Sequence, residues 1–336
     1  MNADIERTDK TPIWDHPGIL VIDKPRGPSS HQVAAWVGRM LGCQVGHAGT
    51  LDPQVSGVLL VMLGNAVRLA PLLLQHDKEY ICLMRLQGDA DKTSIEQIAA
   101  EFTGRLYQRP PRKSAVKRIL RIRTIHKLEI LHTEDRLVLF RVECDAGTYI
   151  RSLCHHMGLA LGTGAHMVEL RRIRSGPFRE QEMHTLFDIQ DACSAVKEGD
   201  STILTSMVLS VDAAVPDLPT IIIRNAAIDA VCHGAVLAGV GVISFDDFKR
   251  DQTVAVLSQK KEFICLGRAL VHSSSFKAGE TGLVVAPIAV FLRPGTYPNG
   301  WATSSKEKRK ERENAPVRKK NVHKKEIALK KFPANR

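Results

Sequence analysis

Six consecutive apolar residues, Val58-Leu59-Leu60-Val61-Met62-Leu63, belong inside a folded body, and the eight residues that precede them closely are of the opposite kind. Gly46-His47-Ala48-Gly49-Thr50-Leu51-Asp52-Pro53 combines two glycines, a histidine, a threonine and an Asp-Pro pair. Pro53 biases Asp52 toward extended backbone, because its ring crowds the preceding residue. Gly46 and Gly49 allow a close turn or a positive φ. The stretch reads as a loop presenting a carboxylate in front of a buried strand over 57–63. A plain Asp-Pro turn between a helix and a strand is the simpler reading of the same residues. The rest of the chain has to decide between them.

The chain has 336 residues, 44% of them hydrophobic, enough for one large or two ordinary domains with proper cores. Its net charge of +11 is concentrated at one end: residues 303–336 hold thirteen Lys and Arg against four Glu. That segment has no apolar period and is expected to be a disordered basic tail, assigned to 302–336. No apolar run reaches bilayer length and the first ten residues are polar, so a soluble intracellular protein with no membrane contact is expected. The seven cysteines show no C-x-x-C pair, which argues against a zinc site or a disulfide framework and for packed, reduced thiols.

Residues 1–17 read as an N-terminal extension. A short buried strand over 19–22 follows, and the two prolines and the glycine of Asp23-Lys24-Pro25-Arg26-Gly27-Pro28 then force a loop. Ser29 and Gln32 form a capping box for a helix whose inward residues Val33, Trp36, Val37, Met40 and Leu41 recur at helical spacing, with Gly42 as its C′ residue. A helix over 65–75 is expected next. Residues 78–86 alternate as a strand with Tyr80, Cys82, Met84 and Leu86 on one face. Ser94 and Gln97 read as a second capping box, and Gln108 to Arg118 as an extended basic loop before strands over 119–131 and 137–144. A helix over 148–161 places Arg151 in its first turn, where the helix dipole offers a cation nothing. A helix over 185–198 closes the first unit, 18–214. Beyond the proline-marked boundary at 215–219, short β-type runs with one helix suggest a small, mostly β barrel over 215–298.

The first half contains no phosphate loop, no H-E-x-x-H, no G-x-S-x-G and no dinucleotide fingerprint. It offers instead a loop-held acid (Asp52), an aromatic at a strand start (Tyr80), an arginine at a helix start (Arg151) and several basic segments. A buried carboxylate facing an arginine stays ionised and oriented by a bidentate pair. An aromatic face can stack on a flipped base. The set suits work at a nucleotide, although Tyr80 alone also reads as a half-buried strand tyrosine and Arg151 alone as a structural ion pair.

Taken together and in order, Leu20-Val21-Ile22-Asp23-Lys24-Pro25 with Pro28-Ser29-Ser30-His31, the stretch 46–53, Lys78-Glu79-Tyr80, Gln108 to Arg118, Gly147-Thr148-Tyr149-Ile150-Arg151 and the segment from Gly164 to Gly176 resemble the TruB class of pseudouridine synthases, and within it the dyskerin-like, guide-RNA-dependent branch. The second half, with Ile223-Arg224-Asn225-Ala226-Ala227 and Thr296-Tyr297-Pro298 before Trp301, resembles that family's PUA domain. The resemblance implies an α+β protein: a pseudouridine synthase fold, with a mixed, mainly antiparallel sheet flanked by helices, plus a PUA barrel. It implies Asp52 as the catalytic aspartate, Arg151 as its ion-pair partner, Tyr80 as a stacking residue that helps remove the C5 proton, and Leu170 as pocket lining. Lys24, His47, Lys117 and Tyr149 match positions near the site or its RNA. No cofactor and no metal are implied. The expected partners are a box H/ACA guide RNA, substrate rRNA and the small core proteins of that particle, in a nucleus and nucleolus. A stand-alone tRNA enzyme and a non-catalytic H/ACA scaffold are the alternatives. The chain lacks a long insertion after Ser114-Ala115-Val116-Lys117-Arg118, which favours the guided branch, and it carries Ala48 and His126 where other residues are usual.

Overall fold

The computed structural model of the chain describes residues 12–110 and 117–298. The expected basic tail, Trp301, residues 1–11 of the extension and residues 111–116 of the basic loop lie outside the described residues.

The chain order is β1 (Gly18–Lys24), α1 (Ser30–Leu41), β2 (Val45–Ala48), β3 (Ser56–Leu63), a 3₁₀ turn with α2 (Ala70–Leu73), β4 (Lys78–Leu86), α3 (Lys92–Glu101), β5 (Gly104–Gln108), β6 (Arg121–Glu134), β7 (Leu137–Cys144), α4 (Ile150–Ala160), β8 (Ala165–Ser175), β9 (Phe178–Arg179), α5 (Leu186–Lys197) and α6 (Thr202–Met207). These strands form one sheet in the order β1-β3-β8-β4-β7-β6-β5, with β2 and β9 added beside β3 and β8. Every pairing in it is antiparallel except β3 with β8. From Gly57 to Leu63 every residue of β3 is buried, so the apolar run is the strand its composition demands. Helices α1, α3, α4 and α5 cover one face of this sheet through a core that includes Val33, Val37, Cys82, Met84, Leu153, Cys154 and Ile189.

A second sheet begins with β10 (Thr220–Ile223) and, after α7 (Asn225–Cys232), continues through β11 (Leu237–Ala238), β12 (Val242–Phe245), β13 (Thr253–Leu257), β14 (Phe263–Ala269) and β15 (Leu283–Val290). Its order is β11-β15-β14-β13-β10-β12. The two units share a core: Leu266, Ala289 and Phe291 pack with Ile19, Val58, Leu60 and Met62 of the first sheet. Asp15, in the described end of the N-terminal extension, forms an ion pair of 3.3 Å with Arg293 of the second unit.

Local chemistry explains most element ends. Ser29 and Gln32 cap α1 reciprocally, and Gly42 closes it at φ 66°. Three expectations need correction. The cap of α3 is Asp91, whose carboxylate accepts from the Ser94 amide at 2.9 Å, so Ser94 lies inside the helix: an ionised Asx oxygen outcompetes the hydroxyl three residues on. The helix expected over 65–75 is a 3₁₀ turn followed by four α-helical residues. The stretch 46–53 is only half a loop, because residues up to Ala48 belong to β2 and pair with β3.

Candidate active site

The loop between β2 and β3 is tied down on nearly every side while the side chain of its acid stays half exposed. Ser30, fully buried at the start of α1, accepts from the Leu51 amide at 2.8 Å and donates to the Leu51 carbonyl at 3.0 Å. Lys24, also fully buried, donates to the carbonyls of Pro25 (2.8 Å), Pro53 (3.3 Å) and Val55 (2.8 Å). The Gly27 amide donates to the Pro53 carbonyl at 2.8 Å, and the Val55 amide to the Asp52 carbonyl at 2.9 Å. Gly49 takes φ 74°, a conformation that disfavours any side chain. The Gly49 carbonyl accepts from Arg172 at 2.7 Å. Backbone fixed at this density holds a side chain within a narrow range of geometries.

Asp52 meets Arg151 at 3.3 Å, with roughly half of each side chain exposed. The residues therefore pair as expected, but in the open: a single contact at the mouth of a cleft replaces the expected buried bidentate arrangement. An exposed pair of this kind adds only about 0–1 kcal/mol to folding, so stability does not explain it. Arg151 is placed by the cap of α4. Tyr149, the cap residue, donates its amide to Gln108 Oε1 at 2.9 Å and receives Gln108 Nε2 on its carbonyl at 3.2 Å, and Gln108 is buried. The preceding turn is closed by the Thr148 hydroxyl on the Asp145 carbonyl at 2.7 Å.

The cleft has a volume of about 680 Å³, and Asp52, Tyr80, Tyr149, Arg151, Leu170 and Arg172 all line it. Tyr80, at the start of β4, is half-buried with its phenol in the cleft wall. Burial pushes its pKa up, and the Arg172 guanidinium acts against that shift. Lys24 and His47 stand behind the loop. Burial lowers the pKa of both, aided by Arg172; for Lys24, Asp52 opposes the change. Lys117 is exposed and does not line the cleft.

Sequence reasoning missed the cationic floor. Arg172 is 1% exposed and Lys78 4% exposed. Lys78 donates to the carbonyls of Leu73 (3.1 Å) and His76, and burial followed by the nearby Arg172 brings its pKa down to about 8. The available signal was the period of β8: Leu170 and Arg172 are two apart and share a face. At the rim His126 pairs with Asp145 at 3.0 Å and with Asp77 at 3.5 Å, in a cluster of metal-ligand residue types that also braces the turn into α4.

A loop-borne carboxylate paired with an arginine, an aromatic in the same cleft, buried cations and an appended β unit are the arrangement that the resemblance implied. The chain matches the TruB family pseudouridylate synthase N-terminal domain over residues 39–150, the tRNA pseudouridylate synthase B C-terminal domain over 151–216 and the PUA domain over 219–291. It is 46% identical to a probable tRNA pseudouridine synthase B of Methanosarcina barkeri, covering 87% of this chain and 88% of that protein. Identity to the protein of the same name from Methanothermobacter thermautotrophicus is 47%, over 84% and 89% of the two chains. Among solved structures, it superposes on a chain of an H/ACA ribonucleoprotein bound to a substrate RNA containing 2′-deoxyuridine with TM-score 0.77 and 41% identity, over 88% of this chain and 95% of that one. A Cbf5-Nop10-Gar1 complex gives TM-score 0.77 and 43% identity, over 87% and 94%. The protein belongs to the TruB family of pseudouridine synthases.

Proposed function

We propose that the chain is the catalytic subunit of a box H/ACA ribonucleoprotein that isomerises guide-selected uridines of rRNA to pseudouridine, with a part in ribosome biogenesis, in the nucleolus of a eukaryotic cell. The observation that carries this reading is likeness at TM-score 0.77 to chains of H/ACA particles along both units, together with Asp52, Tyr80 and Arg151 lining one cleft. The small core proteins named in those complexes are the proposed protein partners. The nucleolar assignment rests on the lysine-rich tail, whose charge suits phosphate contacts through counterion release.

In this reading the guide presents an unpaired uridine, which removes most of the few kcal/mol that flipping a base out of a stack costs. Tyr80 stacks on the base. The Asp52 carboxylate faces the sugar, where C–N cleavage builds positive character at C1′, and it traps that centre covalently or assists by proton abstraction. The base leaves as an anion, which the buried charges of Arg172 and Lys78 stabilise. It turns and bonds to C1′ through C5; the C5 proton is then lost and N1 gains one.

The names of the archaeal relatives favour a second reading, a stand-alone tRNA enzyme. One experiment separates the two. Purified protein is given tRNA alone, or target RNA with guide and core proteins, and product is counted for wild type and Asp52→Asn. Guide-dependent product that Asp52→Asn fails to make is the expected result, with thermal stability changed by no more than about 1 kcal/mol because the ion pair is exposed. Efficient modification of tRNA without a guide selects the second reading, and undiminished product from Asp52→Asn refutes the assignment of the carboxylate.

A further inference from the structure

Among the described residues Arg172 heads the largest fully buried side chains and lies in the catalytic cleft, yet its hydrogen bonds there run to main-chain carbonyls rather than to a carboxylate. Its Nε donates to the Val58 carbonyl at 2.7 Å and its Nη2 to the Gly49 carbonyl at 2.7 Å. Its register partner across β8 and β4 is Tyr80, and the two side chains line the same cleft. A guanidinium has no acceptor, so toward the phenol it can only donate, and to the oxygen. Two glycines make room for this side chain and its strand. A Cβ at Gly49 would come within 3.2 Å of Nη1, and one at Gly57 within 2.2 Å of the Arg172 carbonyl oxygen.

A buried guanidinium without an anion is expensive, because taking the charge out of water costs several kcal/mol after relaxation. Sheet stability gains little from that arrangement, whereas an anion that forms only during reaction would gain much. Besides the departing base, the phenol oxygen of Tyr80 is a group placed to carry such charge. One planar fork thus ties the loop three residues before Asp52 to the start of β3, beside the tyrosine that is its cross-strand partner.

We propose that Arg172 is the positioning residue of the final proton transfer, holding the Tyr80 oxygen at the C5 proton and tying that oxygen to the Asp52 loop. The inference rests on the function proposed above. In the step itself the tyrosinate oxygen takes the proton from C5, and the C–H bonding pair restores the C5=C6 double bond while the C6=N1 pair moves onto N1. N1 receives a proton from water, and the tyrosine returns its own to water, so no external base or oxidant is consumed. Burial raises the phenol's pKa while Arg172 opposes it, so loss of the guanidinium removes a charge that favours the tyrosinate.

The test uses full-length protein assembled with guide RNA, core proteins and target RNA, comparing 5-protio with 5-deuterio uridine at the modified position. Arg172→Gln is expected to lower single-turnover rate by about 10²-fold, the lower range for a positioned acid–base group. The protio-to-deuterio rate ratio should rise above that of wild type, and the alkaline-side rise of the pH–rate profile should move to higher pH. Arg172→Lys keeps a buried cation but lacks the planar fork, so it supplies a second, more easily folded variant with shifts of the same sign. A rate loss with an unchanged isotope ratio and an unmoved pH profile would mean a structural role only and overturns the proposal. If wild type itself makes no guided product, the functional reading fails instead.

Discussion

Replacing Lys24 by methionine tests whether the buried cation under the loop serves the fold or the site. Its ammonium donates to three carbonyls, and two of them, on Pro53 and Val55, lie within three residues of Asp52. Hydrogen bonds to a charged group are each worth about 1.5–3 kcal/mol, so the three would amount to several kcal/mol. Against this, burying an ammonium costs several kcal/mol, and Arg172 nearby adds repulsion. These terms nearly offset. Lys24→Met is therefore expected to change global stability by less than about 2 kcal/mol. Activity should respond far more strongly, because a loop shift of about 1 Å costs about 10²-fold in rate. Burial, then Arg172, lowers the Lys24 pKa below its usual 10.5, against a raising effect of Asp52. The charged form thus costs stability below the folded pKa, and stability from this group rises as pH climbs from that value toward 10.5. The variant should lose that alkaline rise. Denaturant unfolding from neutral to alkaline pH, with single-turnover product formation on the assembled particle, measures both. Activity within about threefold of wild type, well short of the loss a 1 Å shift implies, would refute the loop argument. So would a stability loss above about 4 kcal/mol, the size expected for a purely structural buried cation.

The remaining predictions concern supports of the same cleft and sheet. Gln108→Ala removes both hydrogen bonds to the cap residue of α4, and should cost about 1–3 kcal/mol in thermal or denaturant unfolding while slowing turnover through Arg151. Normal turnover would show that Arg151 is placed by other contacts. Burial would raise the pKa of Glu79, but hydrogen bonds from Arg141 and Arg174 prevail and hold it below its usual 4.5. Its stabilisation is therefore fully present above the usual value and is lost as pH falls through the depressed one. Glu79→Gln should cost about 3 kcal/mol at neutral pH and flatten the acid limb of stability, and an unchanged acid limb in pH-dependent unfolding would contradict this account.

The parts of the molecule that follow from local chemistry were legible in the chain itself. The apolar run of β3, the reciprocal cap of α1, the alternation of β4 and the placement of Arg151 in the first turn of α4 each depend on residues within a few positions of one another. The resemblance of the ordered motifs then named Asp52, Tyr80 and Arg151, and the fold brings all three to one cleft. Local signals failed where two were in competition: Asp91 and Ser94 are both able caps, and the glycines around His47 concealed a strand that only its pairing with β3 makes stable.

The sequence alone determined which residues are apolar, where the chain turns and which carboxylate is presented. Tertiary structure alone decided what stands behind that carboxylate. Lys78 and Arg172 read as ordinary surface-seeking cations in a one-dimensional pattern, and Lys24, placed near the site by resemblance, gave no sign of being buried. They become a buried, carbonyl-held floor only because strands distant in sequence converge beneath one loop, and charge so placed depends on what the surrounding backbone offers rather than on any neighbour in the chain. The Asp52–Arg151 pair was named from sequence, but its openness was decided by the fold, which sets both side chains at the cleft mouth.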